Sequence, residues 1–475
     1  MSTKIISILV VSILVAAGVG TAAYIILDDN NSNSKTIDVN LEIYGNADKD
    51  NEISSDDADL IDKYLDAIDS NNESLSSEIK SKMSMTFADA NCDGTIDRAD
   101  SAQVRAILDR NAQYIWMLDG IGEERKVSLD ISKIGCEYFS NTELCLILGL
   151  SDKITAVDNA PYQYADFYFT AEQQSNITNM YNCNNPDYDM INGLNLDTYL
   201  VFSGTASYDT KQEKIIDCDV LYLGLYNPDL TNTGKSSFVQ GVLKAGYIFN
   251  AVDRAENYID WLLDYRDDML TIANSISDEN KPTVCMSNYT SNQYFMDGSK
   301  GSSQTSIYRT NDPLGQAITL AGGKNILDSL SDSSFVTSGA YSVKVQIDSI
   351  LNDDPNIDVD YIFLHMVKYT YGGTINKNVP DHGYTTDDYA EIKEAYNVAS
   401  GQSLVKDESI TLIAGDFRNG CTGGVLLAAY MGNVINPGEY SSIDPIKMHN
   451  EYVAWMGITG YNVADNGVFV YPYGE

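Results

Sequence analysis

One long helix between two series of alternating strands and helices is the feature that most constrains the fold. Residues 253–277 predict this helix, because apolar residues recur along one face and Pro282 follows it. Asp253 and Glu256 have the spacing of a capping box at its start. We therefore expect two structural halves joined by a single stiff helix, and only small movement between them.

Short apolar runs typical of buried strands lie on both sides of this helix. KITAVD, TYLVFSG and CDVLYLG precede it, and TVCMS, DYIFLHMV and SITLIAGD follow it. Strands that alternate with helices indicate parallel α/β layers. The predicted fold class is α/β, with one lobe at about 124–250, the linking helix at about 253–277 and a second lobe at about 281–462.

The N-terminus indicates an extracytoplasmic protein. Residues 5–27 form a 23-residue apolar stretch without a charge, long enough at about 34 Å to cross a bilayer. Lys4 precedes it and Asp28 follows it, which places the rest of the chain outside the membrane. A transmembrane anchor is the favoured interpretation, and a cleaved signal peptide is the alternative. Residues 28–44 are expected to be a linker.

The charge balance excludes several classes of partner. Lys+Arg number 30 and Asp+Glu number 68, so the formal net charge of −38 disfavours nucleic acid, whose phosphates would be repelled. Seven Cys without paired CxxC spacing, and only three His, make a structural zinc site improbable. If disulfides form outside the cell, at least one of the seven thiols stays unpaired, and the pairing cannot be assigned from the sequence.

Two acidic loops predict calcium binding. Residues 46–57 read NADKDNEISSDD and residues 89–100 read DANCDGTIDRAD, each followed by a helical pattern and each with Ile at position 8, which is expected to pair the loops. Side-chain oxygens at positions 1, 3, 5, 9 and 12, with a backbone carbonyl at position 7, can surround one hard cation. Chance matches in an acidic chain are the alternative. The predicted ligands of two Ca²⁺ ions are Asn46, Asp48, Asp50, Glu52, Ser54, Asp57, Asp89, Asn91, Asp93, Thr95, Asp97 and Asp100.

This duplicated loop–helix unit resembles a dockerin, a small all-α calcium-binding domain, over residues 45–110. Asn46 at position 1 and Asn51 in place of the usual Gly at position 6 depart from the family pattern, so we expect loop one to bind calcium more weakly than loop two. The resemblance implies a cohesin-like partner, although the unit could instead be a calcium-rigidified spacer. The residues at positions 10 and 11, which would contact that partner, are Ser55, Asp56, Arg98 and Ala99.

The larger module, over about 124–461, resembles the periplasmic binding proteins that serve iron–siderophore and cobalamin uptake. The matching strings are RKVSLDIS, TELCLILGLSDKITAVD, AGGKNILD and the closing GGVLLAAYMGNVINPGEYSSIDPIKMHNEYVAWMG. The resemblance implies a class III substrate-binding protein that presents a metal chelate (ferric siderophore, cobalamin or haem) to an ABC permease driven by its ATPase. It also places one permease-docking acid on each lobe, at Asp189 and Asp348, where the family generally has Glu.

The ligand is expected beyond the carboxyl ends of the strands, between the lobes. Arg309 and Arg418 could bind carboxylates or catecholates through a guanidinium fork, or could pair with nearby acids. His365 ends a strand and could contact a chelated metal, or be a satisfied core residue. Tyrosines in these loops offer flat amphipathic surface. They are Tyr162, Tyr164, Tyr168, Tyr289, Tyr294, Tyr308, Tyr369 and Tyr371.

Enzymatic functions receive no support from motifs. GxSxG, HExxH, GxxxxGK and a GxGxxG placed between strand and helix are all missing from the sequence. We therefore expect a binding protein that is not an enzyme. The alternative function is a calcium-dependent cell-surface assembly or adhesion protein that docks a cohesin-like partner.

Overall fold

The computed structural model describes residues 37–204, 206–226, 228–288, 304–330, 335–339, 341–346, 359–365, 392–393, 396–397, 400, 410–466 and 468–473. The strands are β1 Tyr114–Leu118, β2 Glu124–Ser128, β3 Ile134–Cys136, β4 Ile154–Val157, β5 Thr178–Asn179, β6 Thr198–Val201, β7 Asp219–Tyr222, β8 Thr283–Asn288, β9 Gln304–Tyr308, β10 Lys324–Asn325, β11 Phe335–Ser338, β12 Ser342–Gln346, β13 Tyr361–His365, β14 Ile410–Ile413 and β15 Val470–Tyr471.

The helices in this part of the chain are α1 Ser55–Asp69, α2 Glu73–Lys82, α3 Arg98–Leu108, α4 Tyr138–Ile147, α5 Asn159–Tyr162, α6 Ala165–Tyr168, α7 Ala171–Gln174, α8 Tyr188–Gly193, α9 Ala206–Lys214, α10 Ser237–Ile248, α11 Val252–Ser275, α12 Pro313–Leu320, α13 Asp416–Asn419, α14 Val425–Ile435, α15 Pro445–Trp455 and α16 Val463–Asn466.

The first lobe contains a five-stranded, wholly parallel sheet in the order β5-β4-β3-β6-β7. β6 is buried along its whole length, as expected for a parallel strand covered by helices on both faces. The string RKVSLDI does not begin this sheet. It forms β2, which pairs with β1 in an antiparallel hairpin. The first strand of the parallel sheet is instead β3. It has only three residues, and the sequence analysis did not identify it as a strand.

The second lobe contains a mixed sheet in the order β11-β12-β9-β8-β13-β14-β15, with β10 paired to β8. β8, β13 and β14 are parallel, as the α/β prediction requires. β9, β11 and β12 add an antiparallel edge, and β15 pairs antiparallel with β14. The prediction of parallel strands is therefore wrong for the edges of this sheet.

The predicted linking helix is α11. Its buried stripe includes Ile259, Leu262, Leu263 and Ala273, which confirms the amphipathic pattern. The capping box is wrong, because the N-cap is Ala251, which makes no side-chain cap hydrogen bond, and Asp253 lies inside the first turn.

The N-terminal unit packs α1 against α3 in antiparallel directions, since Arg98 pairs with Asp66 and Arg105 pairs with Asp59. It is continuous with the larger module rather than separated from it. Residues 37–44, expected to be the end of a linker, are mostly buried, and Leu41 and Ile43 belong to the same hydrophobic core as the lobes. Burial of this apolar run explains why it is not a free linker.

The predicted anchor at 5–27 lies outside the described residues. Among those that are described, no helix is long and apolar enough to cross a membrane. All seven cysteines are described and none is in a disulfide.

Candidate solute-binding cleft

Aromatic side chains from both lobes form a continuous series of ring contacts. In lobe one, Tyr138 follows β3, Phe202 follows β6 and Tyr226 follows β7. The Tyr138 and Phe202 rings are 4.3 Å apart and the Phe202 and Tyr226 rings 5.0 Å apart. Tyr226 then meets Tyr341 of lobe two edge-on at 5.2 Å. Since parallel strands end at one edge of a sheet, side chains distant in sequence converge here.

Arg418 lies at the centre of this series. Its guanidinium carbon is 4.9 Å from the ring centre of Tyr226 and 4.9 Å from that of Tyr308, so one tyrosine from each lobe contacts the cation. Its Nε and Nη2 atoms donate to Asp312 Oδ2 at 3.0 and 2.8 Å. The Arg418 side chain is still 22% exposed, and Nη1 has no hydrogen-bond partner among the described residues.

Asp312 can orient Arg418 because the Asp312 carboxylate is itself held by a hydrogen bond from the backbone. Its Oδ1 accepts the Leu314 N–H at 3.0 Å, which caps α12. Burial raises the pKa of Asp312, and the charge of Arg418 opposes that rise. Gly315 is required next to it, because a Cβ there would lie 1.8 Å from the Arg309 carbonyl oxygen.

His365 ends β13 close to Arg418 and is only 1% exposed. Its ring meets Tyr308 edge-on at 6.1 Å. Burial, together with the charge of Arg418, lowers the pKa of His365 to about 3, although the Gly415 backbone opposes the shift. Neither ring nitrogen has a geometrically acceptable hydrogen-bond partner among the described residues. Because the pKa lies so far below the ordinary value of 6.5, the imidazole is neutral at physiological pH, and a neutral imidazole has one nitrogen lone pair that can accept a hydrogen bond or bind a metal.

The other predicted ligand residues have different surroundings. Arg309 donates to the Gly339 carbonyl and the Ser338 hydroxyl, which ties it to the β11–β12 hairpin. Tyr162 is 38% exposed on α5, and the Tyr164 ring packs 6.0 Å from that of Phe139. Tyr168 is buried against Glu143. Four tyrosines lie outside the described residues: Tyr289, Tyr294, Tyr369 and Tyr371.

Arg418 and Tyr308 were predicted as ligand residues from the sequence, but the residues that contact Arg418 were not. Asp312 could have been noticed as an acid directly before Pro313, a common way to begin a helix. Tyr226 follows a predicted strand, at the edge where the cleft was expected. Asp189 is exposed on α8, and Asp348 lies outside the described residues.

A buried carboxylate joins the lobes beside the cleft. Glu143 of α4 accepts hydrogen bonds from the Tyr168 hydroxyl at 2.7 Å, from the Cys421 N–H at 2.8 Å and from the Tyr452 hydroxyl. Cys421 and Tyr452 belong to lobe two. Arg254 of α11 adds a second tie, because its Nε donates to the Ile147 carbonyl of lobe one and its Nη2 to the Trp455 carbonyl of lobe two. These contacts support the expected small lobe movement.

The second calcium loop has the backbone expected of such a loop. Cys92 and Gly94, at positions 4 and 6, have positive φ angles of 57° and 91°. The Asp89 oxygens accept the N–H groups of Asp93 and Gly94, and those of Asp100 accept the N–H groups of Asn91 and Asp97. A carboxylate oxygen that accepts one N–H keeps a second lone pair, so these side chains still have oxygen acceptors to offer.

The first loop has a different conformation. Lys49 at position 4 has φ 72°, but Asn51 at position 6 does not adopt a positive φ, so the left-handed turn expected there is missing. The Ile53 N–H donates to the Tyr247 hydroxyl, outside the calcium-loop unit. Across the described residues, no group of three or more His, Cys, Asp or Glu side chains is gathered so that it could hold a metal ion.

Comparisons with known proteins identify the fold. No family model matches the chain, and no curated protein matches it. Its structure is similar to that of a TroA-like periplasmic binding protein, FepB, from Veillonella parvula, with a TM-score of 0.53, 15% sequence identity and coverage of 75% of this chain and 98% of that one.

Two further solved structures agree with this. The molybdate-binding protein MolA of a Haemophilus influenzae ABC transporter has a TM-score of 0.50 and 13% identity, covering 73% of this chain and 98% of that one. A solute-binding protein of an ABC transporter from Sulfurospirillum deleyianum also has a TM-score of 0.50 and 13% identity, covering 74% and 97%. The chain therefore has the two-lobed α/β fold of the TroA-like periplasmic binding proteins.

Proposed function

We propose that the chain is the extracytoplasmic solute-binding component of an ABC importer, tethered by residues 5–27, and that it captures a metal chelate between its lobes. The observation that carries this proposal is the position of Arg418, between Tyr226 of lobe one and Tyr308 of lobe two. A cation that both lobes contact, and whose Nη1 makes no hydrogen bond within the described part of the chain, is suited to a ligand that bridges them.

The chemistry of the site favours a large chelate over a small dianion. Asp312 neutralises Arg418, so this pair contributes no net charge toward an oxyanion. Nη1 can still donate one charge-assisted hydrogen bond to a carboxylate or catecholate oxygen. The rings of Tyr138, Phe202 and Tyr226 supply flat apolar surface beside it. A ferric siderophore, cobalamin or haem offers both features, and neutral His365 could contact the chelated metal.

Delivery requires a permease. Asp189 is exposed in the first turn of α8 and is a candidate contact for one permease arginine. Asp348 is the corresponding prediction for lobe two. The partners of this proposal are an ABC permease and its ATPase.

Calcium belongs to the N-terminal unit in this proposal. Loop two would hold the ion through Asp89, Asn91, Asp93, Asp97, Asp100 and the Thr95 carbonyl. The cohesin-docking alternative has one observation in its favour, since Ser55, Asp56, Arg98 and Ala99 are all exposed. Arg98, however, is already paired with Asp62 at 2.9 Å. Tight cohesin binding by a protein whose cleft captures no solute would favour that alternative.

Native mass spectrometry of the full chain in detergent tests the proposal, with a panel of ferric siderophores, cobalamin, haem and molybdate. We expect a one-to-one adduct with a chelate. The double variant Arg418→Gln/Asp312→Asn keeps the buried volume and removes both charges, and should weaken binding roughly 10- to 100-fold. Arg98→Gln, an arginine of the N-terminal unit, is the matched control. A molybdate adduct without a chelate adduct, or equal affinity in the double variant, would contradict the proposal.

A further inference from the structure

One face of α10 is bonded to the first calcium loop and to the segment that precedes it. Gln240, Lys244 and Tyr247 lie one and two helical turns apart, which places them on the same face. Gln240 donates to the Asn40 carbonyl at 2.6 Å and accepts the Glu42 N–H at 3.1 Å. The Gln240 side chain therefore bonds to one backbone acceptor and one backbone donor of the segment that precedes loop one.

The next two contacts continue along that face. Lys244, only 2% exposed, pairs its Nζ with Glu42 Oε2 at 2.7 Å. The Tyr247 hydroxyl accepts the N–H of Ile53 at 2.7 Å. Ile53 is position 8 of loop one, the residue that would pair with the second loop in a two-calcium unit. Its backbone donor is therefore used by the solute-binding module.

The interior of loop one is filled by Asn46. Its side chain is fully buried, and its Nδ2 donates to the carbonyls of Leu41 and Asp50, each at 2.8 Å. The Asn46 Oδ1 accepts the Lys49 N–H at 3.1 Å. An amide donor at position 1 turns hydrogen atoms, rather than oxygen lone pairs, toward the loop backbone. Loop two has Asp89 at the same position, with only acceptor oxygens.

We infer that loop one is not a cation site but a metal-independent latch, which fastens the N-terminal unit to α10. Asn46 takes the internal role that a cation would have in loop two, and Tyr247, Lys244 and Gln240 form the receiving face. α10 leads directly into α11, so the latch fixes the N-terminal unit beside the helix that joins the lobes. This inference goes beyond solute capture and does not depend on it.

Hydrogen exchange on the full chain in detergent tests the latch, with the peptide covering 47–57 followed by mass spectrometry. Exchange is compared with calcium and with a chelator in the variant Asp89→Asn/Asp93→Asn. This variant lacks two carboxylates of loop two, so that any effect of calcium must come from loop one. We expect the same protection in calcium as in chelator, within about twofold. A calcium-dependent gain of tenfold or more in that variant would show that loop one binds the ion and would overturn the inference.

Two substitutions test the receiving face in chelator. Tyr247→Phe removes only the hydroxyl that accepts the Ile53 N–H and should speed exchange of this peptide about fivefold or more. Tyr265→Phe removes a hydroxyl bonded to Glu451, outside this face, and is the control. Asn46→Asp removes both amide donors and should have an effect at least as large as that of Tyr247→Phe. Unchanged exchange in both Tyr247→Phe and Asn46→Asp would overturn the latch.

Discussion

Tyr226 of the first lobe lies over the guanidinium of Arg418 in the second lobe, with the ring centre 4.9 Å from the guanidinium carbon. This contact joins the two lobes, and Asp312 holds the arginine in place from within lobe two. The side chains proposed to bind the ligand therefore also link the lobes. A ligand at this site would bind to a surface that is already assembled, which limits the reorganisation that binding requires.

Replacing Tyr226 should weaken ligand capture. Tyr226→Ala removes the ring that orients Arg418 from lobe one and the apolar surface that this ring offers to a ligand, and a loss of about 1.4 kcal/mol in binding free energy would lower the affinity roughly tenfold. Titration calorimetry with the captured chelate measures this. Tyr181→Ala, at a 63% exposed tyrosine of the same lobe, should leave the affinity unchanged. Equal losses in both variants would contradict a specific role for Tyr226.

Glu143→Gln should destabilise the fold strongly. The buried carboxylate accepts three hydrogen bonds, from Tyr168, Cys421 and Tyr452, and an amide would place its NH₂ against at least one of these donors. We expect the free energy of unfolding to fall by about 2–4 kcal/mol, measured by urea denaturation. Glu172→Gln, on an exposed helical turn, should change it by less than about 0.5 kcal/mol.

His365 should make the protein less stable in acid. Its pKa is lowered to about 3 in the folded protein, below the ordinary value of 6.5, so the unfolded chain binds the proton more readily. The stability of the wild type should therefore fall, relative to His365→Gln, as pH decreases from 6.5 toward 3. The relative loss should be at most about 1.4 kcal/mol per pH unit. Parallel stability–pH curves for the two proteins would contradict this assignment.

Gly315→Ala should disturb the site through its backbone. A Cβ at this position would meet the Arg309 carbonyl oxygen at 1.8 Å, so α12 must shift, and Asp312 at its N-cap must shift with it. We expect a loss of about 2–3 kcal/mol in the free energy of unfolding and weaker chelate binding. Gly438→Ala is the control, because a Cβ there has no atom within 4 Å. Wild-type stability in Gly315→Ala would refute the steric argument.

The long helix and the buried strands were predictable because their signal is local. The stripe containing Ile259, Leu262 and Ala273 requires only helical periodicity, and the structure confirms it in α11. The antiparallel edge of lobe two was not predictable, since the residue types of β9 and β12 carry no signal of strand direction. Strand direction depends on which neighbour pairs with which, and that is decided by the packing of the whole sheet.

The sequence by itself determined the α/β class, the long linking helix, the two acidic loops and the choice of Arg418 as a candidate, because each rests on residue types at fixed short spacing. Only the tertiary structure decided that Asp312 and Tyr226 surround that arginine, and that Tyr247 takes the backbone donor of loop one. Asp312 and Arg418 are 106 residues apart, and Ile53 and Tyr247 are 194 apart. At such separations the partner of a polar group is set by how the whole chain buries its apolar surface, and each group then bonds to whatever donor or acceptor that burial brings within reach.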